Sequence, residues 1–397
     1  MLERARALLQ PSARSDVPPF MVMDVMAAAE RLEAQGRTIV HMEVGQPAAG
    51  APASAIAAVR AALGNGPHGY TAALGIAPLR RRIAQSYEQW HGVEVDPERV
   101  VVTTGSSAAF MLAFLALFEA GDRVAVAVPG YPPYRHILSA LGCEPVLIET
   151  NAATRWALTG DLLLAQHRAR PLKGVVVGSP ANPTGTMMTA AALGEVIRSA
   201  EDAGIAVISD EIYHGLDYAF RAQSAAALSA NTIVVNSFSK YFCMTGWRIG
   251  WMVVPPSLLR AVERLQQNLA ISVPTLSQIA AQAAFDGRDE LENTKHGYEE
   301  NRHILLDGLP RAGLDSFLPV DGAFYLYVDT SRFSDDSFDF AKRMLEQAGV
   351  AATPGVDFDP IHGRNFLRLC YAGSHEDMRE AVTRIGAWLK GYARWAF

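Results

Sequence analysis

The chain has 397 residues, of which 50% are hydrophobic and 19% are charged, and its formal net charge is −6 at pH 7. This composition is typical of a globular protein with room for more than one domain, and the acidic balance argues against a general nucleic-acid binder. The three cysteines form no CxxC pair and no cluster with zinc-ligand spacing, so we expect buried, reduced thiols and no metal site. The longest apolar run, residues 108–118, is too short to span a bilayer, and the chain start lacks a signal-peptide core, so we expect a cytoplasmic protein with no membrane partner.

The first predicted element is a helix near residues 22–36, where Val22, Met26, Ala29 and Leu32 recur at helical spacing. Seven short Val/Ile-rich runs follow between residues 99 and 255, and most are separated by stretches long enough for a helix. Such runs are typical of strands buried on both faces, and their alternation with helices predicts an α/β fold with a mainly parallel seven-stranded sheet. The runs cover residues 99–105, 123–130, 144–150, 173–180, 205–212, 232–239 and 249–255.

The pattern changes after residue 256, where long helical stretches are followed by two strand-like runs at 323–329 and 365–372. Further helices are predicted around 337–348 and 376–394. This indicates a smaller α+β domain after the large one. The predicted division is an N-terminal arm and helix (1–45) that joins the small domain, a large domain (46–285) and a small C-terminal domain (286–397).

Chemically distinctive residues follow five of the seven apolar runs. Each has an ordinary explanation when taken alone, such as a helix cap, a turn or a surface charge. Ligands of parallel α/β sheets bind just beyond the carboxyl ends of the strands, so the gathering of these residues at corresponding strand ends predicts one ligand site. The residues are Gly105, Ser106 and Ser107 after the first run, Tyr131 after the second, Asn182 after the fourth, Asp210 and Tyr213 after the fifth, and Ser237, Ser239 and Lys240 after the sixth.

These groups together match the chemistry of one cofactor. A lysine amine can form a Schiff base with an aldehyde, and a helix N-terminus, helped by Arg248 and Ser237, can hold a phosphate. A carboxylate can keep a pyridine nitrogen protonated, amide and phenol side chains can bind a phenolic oxygen, and an aromatic side chain can stack on a ring. An aldehyde, a phosphate, a pyridine nitrogen and a phenol describe pyridoxal 5′-phosphate (PLP).

Over nearly its whole length the chain resembles the class I/II aminotransferases, the fold-type-I PLP enzymes, in their aspartate-aminotransferase-like form. The stretch "SFSKYFCMTGWRIG" is similar to their lysine signature, "NPTG" and "DEIY" precede it in the expected order, and "NFLRLCYA" is similar to their late arginine strand. The resemblance implies that Lys240 binds the cofactor aldehyde, that Asp210 pairs with the pyridine nitrogen, and that Tyr131 stacks on the ring. The remaining implied roles are Asn182 and Tyr213 at the phenolic oxygen, Gly105, Ser106, Ser107, Ser237 and Arg248 at the phosphate, and Arg368, Gly45 and Asn182 at the substrate.

Tyr70 matches a tyrosine that reaches the phosphate of a neighbouring subunit, so the resemblance also implies a homodimer with shared sites. The implied reaction moves an amino group between an L-amino acid and a 2-oxo acid by a ping-pong mechanism, with glutamate and 2-oxoglutarate expected as one pair. Lys240 would be the proton shuttle, with Asp210 and Tyr213 as its catalytic partners. Ser107 stands where bacterial aspartate-type relatives often have a lysine, which weakens an aspartate preference.

Other functions remain open at this stage. The same motifs fit a PLP-dependent β-lyase or another PLP reaction on this fold. A PLP-sensing regulator is disfavoured because about 50 residues precede the large domain, too few for an added DNA-binding domain. A nicotinamide dehydrogenase is disfavoured because no G-x-G-x-x-G follows the first strand. Phe20, Tyr131 and Tyr325 could line an apolar substrate pocket, but core packing explains them equally well.

Overall fold

A computed structural model describes residues 9–392 of the chain. Each of the seven Val/Ile-rich runs contains a strand, and the seven strands form one sheet, which confirms the α/β prediction. The strands of the described part are β1 Val40–His41, β2 Val100–Thr103, β3 Arg123–Val128, β4 Glu144–Glu149, β5 Gly174–Gly178, β6 Ala206–Asp210, β7 Ile233–Ser237, β8 Gly250–Val253, β9 Tyr325–Asp329, β10 Val350–Ala351, β11 Thr353–Pro354 and β12 Phe366–Cys370.

Helices account for most of the remaining regular structure. The predicted N-terminal helix is present, and a π-helical segment, Met344–Ala348, extends the predicted helix at 337–348. The α-helices of the described part are α1 Met21–Glu33, α2 Ala53–Leu63, α3 Ala77–His91, α4 Gly105–Leu117, α5 Pro132–Ala140, α6 Gly160–Ala169, α7 Ala190–Asp202, α8 Pro256–Leu269, α9 Thr275–Ala284, α10 Arg288–Ala312, α11 Ser337–Arg343 and α12 His375–Tyr392.

Both faces of the large sheet are covered by helices. Successive side chains of a strand point to opposite faces, and in β5 Val175 and Val177 belong to one apolar cluster while Val176 belongs to another. Helices α3, α6, α7 and α9 contribute to the first cluster, and α4, α5 and α8 contribute to the second. Burial on both sides is the reason that these strands appear in the sequence as nearly continuous apolar runs.

The strand order places the polar loops at one edge of the sheet. The order is β2-β8-β7-β6-β5-β3-β4, and β3, β5, β6 and β7 are parallel neighbours, so their carboxyl ends share one edge. Strand β8 is antiparallel to β7, with Gly250 paired to Ser237, and therefore begins where β7 ends. Arg248, two residues before β8, thus lies at the same edge as the residues that follow the parallel strands.

The C-terminal part contains a second, antiparallel sheet of β11, β12 and β9. Strand β1 pairs in parallel with β10, so residues 40–41 of the predicted N-terminal segment contact the C-terminal part. The predicted boundary at residue 285 falls between α9 and α10, and the division into domains stays a prediction. The three cysteines are buried and free, as expected. Within residues 9–392, no helix combines the length and the apolar character needed to cross a bilayer.

Candidate active site

A cleft at the carboxyl edge of the sheet brings together most of the predicted site residues. An inner pocket adjoins this cleft, because the two share Tyr131, Asn182, Ile212 and Tyr213, and Asp210 lies in the wall of the inner pocket. Residues far apart in sequence therefore meet at one place, as the strand-end argument predicted. The predicted residues that line the cleft are Gly45, Ser106, Ser107, Tyr131, Asn182, Tyr213, Lys240, Arg248 and Arg368.

Lys240 follows β7 and points into the cleft. Its Nζ donates a hydrogen bond to the Gly45 carbonyl oxygen at 2.6 Å. Burial lowers the pKa of Lys240 to about 8, and the positive charges of Arg368 and Arg248 act in the same direction. A substantial share of the amine is therefore neutral near physiological pH, which suits both a nucleophile and a base.

Asp210 is the last residue of β6, and its carboxylate is buried. The Ile212 backbone N–H donates to Oδ1 at 3.0 Å, and the Tyr134 hydroxyl donates to Oδ2. Burial raises the pKa of Asp210 to about 6, and the two hydrogen bonds oppose this rise. The group is thus a fixed, buried carboxylate that remains largely charged at pH 7, as a partner of a protonated ring nitrogen must be.

Arg368, on β12, is buried with its guanidinium between two aromatic rings, 4.4 Å from the Tyr325 centroid and 4.6 Å from the Phe358 centroid. Its Nη1 donates to Asn182 Oδ1 at 3.0 Å, and its Nη2 donates to the Glu43 carbonyl oxygen. Its Nε has no hydrogen-bond partner among the described residues. A rigidly held guanidinium with a spare donor is suited to a carboxylate ligand.

The first turn of α4 forms one end of the cleft. Gly105 begins this helix with φ +72°, and a Cβ there would lie 2.4 Å from Arg248 Nη2. A glycine at this position therefore lets the guanidinium approach the helix start. Ser106 and Ser107 follow at the cleft surface, where a helix N-terminus and a cation together favour an anion.

The predicted phosphate ligand Ser237 lies behind the surface of the cleft. Its side chain is buried, and its hydroxyl donates to Ser239 Oγ at 2.9 Å. Ser239 lines the cleft and its backbone N–H donates back to Ser237 Oγ at 3.1 Å. Ser239, rather than the predicted Ser237, thus faces the cleft.

Two tyrosines and a glycine shape another part of the cleft. The hydroxyls of Tyr213 and Tyr325 are 2.8 Å apart. A Cβ on Gly45 would lie 1.9 Å from the Tyr325 hydroxyl oxygen, so no larger residue fits there unless Tyr325 moves. This close approach gives a steric reason for the predicted role of Gly45.

The structure adds residues that the sequence patterns did not single out for a role in the site. Tyr134 contacts Asp210, and its position three residues after Tyr131 at a helix start was the available signal. Val22 and Met23 form an apolar wall of the cleft together with Phe20, which the sequence had already suggested as a pocket residue. Tyr70, in contrast, is 83% exposed and lies outside the lining of its own cleft.

Comparison with known proteins identifies the family. The model for aminotransferase class I and II matches residues 37–385. The chain belongs to the class I and II aminotransferases. It is therefore a PLP-dependent aminotransferase, which confirms the cofactor and the enzyme class inferred from the sequence.

Known aminotransferases of this family are similar over nearly the full length. The valine–pyruvate aminotransferase of Mycobacterium tuberculosis is 50% identical over 95% of this chain and 97% of that protein. The crystal structure of an aminotransferase from M. tuberculosis has a TM-score of 0.94 at 48% identity, covering 96% of this chain and 100% of that one. The aspartate aminotransferase of Thermus thermophilus with maleate has a TM-score of 0.89 at 32% identity, covering 96% and 99%.

The residues of the aminotransferase cleft fit PLP. The partly neutral Lys240 amine suits the aldehyde, and the buried Asp210 carboxylate suits a protonated pyridine nitrogen. The glycine at the start of α4 and the adjacent Arg248 form a cradle that suits a phosphate.

Proposed function

We propose that this aminotransferase moves the amino group between an L-amino acid with an aliphatic side chain and a 2-oxo acid, with alanine and pyruvate as one pair. The charge of the cleft carries this proposal. Among the described residues that line it, the cations are Lys240, Arg248 and Arg368. Each of these cations already has a proposed partner: the cofactor aldehyde for Lys240, the cofactor phosphate for Arg248 and the substrate α-carboxylate for Arg368. A second carboxylate on the substrate would be desolvated there without a cation, which is costly.

An apolar wall supports the same conclusion. Phe20, Val22 and Met23 line the cleft at the start of α1, and Phe20 packs edge-on against Tyr131 with ring centroids 6.0 Å apart. Met23 is 50% exposed although it faces the cleft. An aliphatic substrate side chain would cover this surface and gain about 25 cal/mol for each Å² of apolar area removed from water.

The M. tuberculosis relative named a valine–pyruvate aminotransferase also supports an aliphatic amino acid and pyruvate. The pair expected from the sequence, glutamate and 2-oxoglutarate, stays a prediction. The side-chain carboxylate of glutamate or 2-oxoglutarate has no cationic partner in the described lining. We therefore expect this pair to react more slowly than the aliphatic pair.

The proposed roles of the side chains follow from their positions. When bound, PLP supplies an electron sink for the carbanion formed at the substrate Cα. Lys240 Nζ takes the proton from that Cα, and Asp210 keeps the ring nitrogen protonated. Arg368 orients the substrate through its α-carboxylate, with Asn182 fixing the guanidinium at 3.0 Å.

We also propose that a second copy of the chain completes the site. Tyr70 is 83% exposed, and the neighbouring Leu269 and Ile271 are 54% and 50% exposed. The segment that contains Tyr70 and the segment that contains Leu269 and Ile271 are joined by a hydrogen bond from Thr275 Oγ1 to the Gly69 carbonyl oxygen at 2.7 Å. A homodimer would cover these apolar side chains and let Tyr70 reach the phosphate of the other copy.

The dimer proposal predicts that Tyr70→Phe weakens PLP binding by about tenfold or more, since one hydrogen bond to a charged group contributes about 1.5–3 kcal/mol. Sedimentation analysis should show a dimer for both the native chain and this variant. A monomeric native chain would refute shared sites, and an unchanged PLP affinity would refute the role of Tyr70.

The substrate proposal is tested by half-reactions without an added oxo acid. The PLP-loaded enzyme is mixed with L-valine, L-alanine, L-glutamate or L-aspartate, and loss of the visible band of the lysine-linked cofactor gives a kcat/KM for each. We expect valine and alanine to exceed both acidic amino acids by about tenfold or more, equivalent to about 1.4 kcal/mol. The reverse order would overturn the proposal and would mean that a cation from outside the described lining enters the cleft.

A charge introduced into the apolar wall sharpens this test. Met23→Lys adds a cation to the cleft and should raise activity with glutamate relative to valine. Met23→Gln, of similar length and neutral, is the matched control and should lack this gain. Equal effects of the two variants would count against Met23 as a wall of the substrate pocket.

A further inference from the structure

Tyr134 lies within the first turn of α5. This helix begins directly after Tyr131, the predicted ring-stacking residue. Tyr131 and Tyr134 are three residues apart, so their side chains lie on the same side of the helix start. Their rings meet edge-on with centroids 5.2 Å apart, and the Tyr134 ring also packs against Phe110 at 5.0 Å. The Tyr134 side chain is buried, and its hydroxyl donates to Oδ2 of Asp210.

We propose that Tyr134 is a positioning residue that holds the Asp210 carboxylate in the orientation needed to pair with the pyridine nitrogen of PLP. The proposal rests on the proposed pairing of Asp210 with that nitrogen, and it does not depend on which amino acid is the substrate.

The Tyr134 hydroxyl restrains rotation of the Asp210 carboxylate. The terminal torsion of an aspartate is broad, so one hydrogen bond leaves its plane free to turn. Asp210 has two donors on different oxygens, the Ile212 N–H on Oδ1 and the Tyr134 hydroxyl on Oδ2, and this pair fixes the plane. The same hydroxyl bond opposes the rise in the Asp210 pKa that burial causes, and so favours the charged form.

The competing explanation is that Tyr134 only fills space. Tyr134→Phe removes the hydroxyl and keeps the ring contacts with Tyr131 and Phe110. Tyr327 offers a matched control, because its hydroxyl is buried without a hydrogen-bond partner among the described residues and its ring stacks on Phe366 at 4.6 Å. Tyr327→Phe thus removes a buried hydroxyl that holds no carboxylate.

The experiment compares the dissociation constants of the cofactor-free enzyme for PLP and for 1-deaza-pyridoxal 5′-phosphate. In this analogue a CH group replaces the ring nitrogen, while the aldehyde and the phosphate are the same. The ratio of the two constants therefore isolates the contact at the ring nitrogen from the rest of the site. Near-ultraviolet dichroism and thermal unfolding confirm that each variant is folded.

We expect the native enzyme and Tyr327→Phe to prefer PLP over the analogue by about tenfold or more, the effect of about 1.4 kcal/mol at the nitrogen contact. Tyr134→Phe should reduce this preference at least about threefold, and Tyr134→His, which restores an N–H donor, should recover part of it. If Tyr134→Phe is not folded, Tyr134→Leu, which also lacks a donor, is expected to show the same reduced preference.

A preference in Tyr134→Phe equal to the native value would overturn the proposal, even if both affinities fell together, since an equal fall indicates packing alone. Asp210→Ala distinguishes a failure of the Asp210 pairing with the ring nitrogen from a failure of the Tyr134 role. It should abolish the preference for PLP. An unchanged preference in Asp210→Ala would refute the pairing of Asp210 with the ring nitrogen, and with it the role of Tyr134.

Discussion

The reactivity of Lys240 gives a quantitative test of the site. Burial lowers its pKa to about 8, with a contribution in the same direction from the positive charge of Arg368. At pH 7.5 a group with this pKa is about one quarter neutral, whereas an ordinary lysine with a pKa of about 10.4 is about 0.1% neutral. The cofactor-free enzyme should therefore contain a neutral Lys240 amine at about 200 times the ordinary fraction.

Competitive acetylation measures this directly. The cofactor-free enzyme is treated with trace acetic anhydride between pH 6 and 11, and mass spectrometry gives the rate for each lysine peptide. The rate for Lys240 should rise with pH and level off above a midpoint near 8, because only the neutral amine reacts. Lys342, on the exposed surface of α11, supplies a reference rate from the same sample.

The Arg368→Met variant checks the electrostatic contribution. Removing this positive charge should move the Lys240 midpoint to higher pH, since it removes a repulsion that disfavours the ammonium form. A midpoint above 10 in the native enzyme would refute the argument that this cleft activates the amine. An unchanged midpoint in the variant would leave burial and the positive charge of Arg248 as the causes of the low pKa.

Two further substitutions test the substrate side of the cleft. Gly45→Ala places a Cβ 1.9 Å from the Tyr325 hydroxyl oxygen, so we expect a loss of about 1–3 kcal/mol in the free energy of unfolding, measured by denaturant titration. Gly50→Ala, where a Cβ meets nothing within 4 Å, is the matched control, and equal losses in the two variants would contradict the steric argument. Arg368→Lys keeps the charge but loses the planar guanidinium, so we expect KM for the amino acid to rise about tenfold or more at unchanged PLP affinity. Steady-state kinetics with each substrate would show this, and an unaltered KM would exclude Arg368 from binding the α-carboxylate.

The sequence predicts the elements of the fold better than their arrangement. Runs such as Val175–Val177 are apolar without alternation because both faces of the sheet are covered, and the strand prediction follows from that. The reversed direction of β8 leaves no mark in such a run, because apolar periodicity carries no information on strand direction. The placement of Arg248 at the cleft therefore rested on resemblance until the antiparallel pairing with β7 gave a physical reason.

Some residues of the site could likewise be predicted from the sequence, and others could not. Lys240, Asp210 and Asn182 were predictable because polar side chains gather at the carboxyl ends of several apolar runs, and parallel strands bring such positions together. Tyr134 was not singled out, because a tyrosine at a helix start looks like core packing in a sequence. The exposure of Tyr70 could not be predicted from its local pattern, and only the resemblance implied a contact with a second copy of the chain.

The cleft is built from segments that are far apart in sequence, so the ribosome synthesises them at different times. The carbonyl oxygen of Gly45 that accepts from Lys240 follows β1, which is aligned by β10, and Arg368 belongs to β12. A growing chain that still lacks β10 and β12 therefore has the lysine but neither the held carbonyl nor the carboxylate-binding arginine. The complete cofactor pocket thus depends on the late strands, and bound cofactor favours the completed chain over its unfolded forms by RT ln(1 + [L]/Kd), about 4 kcal/mol at a thousandfold excess over Kd. The supply of cofactor in the cell thereby becomes one of the factors that determine how much of this protein persists in the folded state.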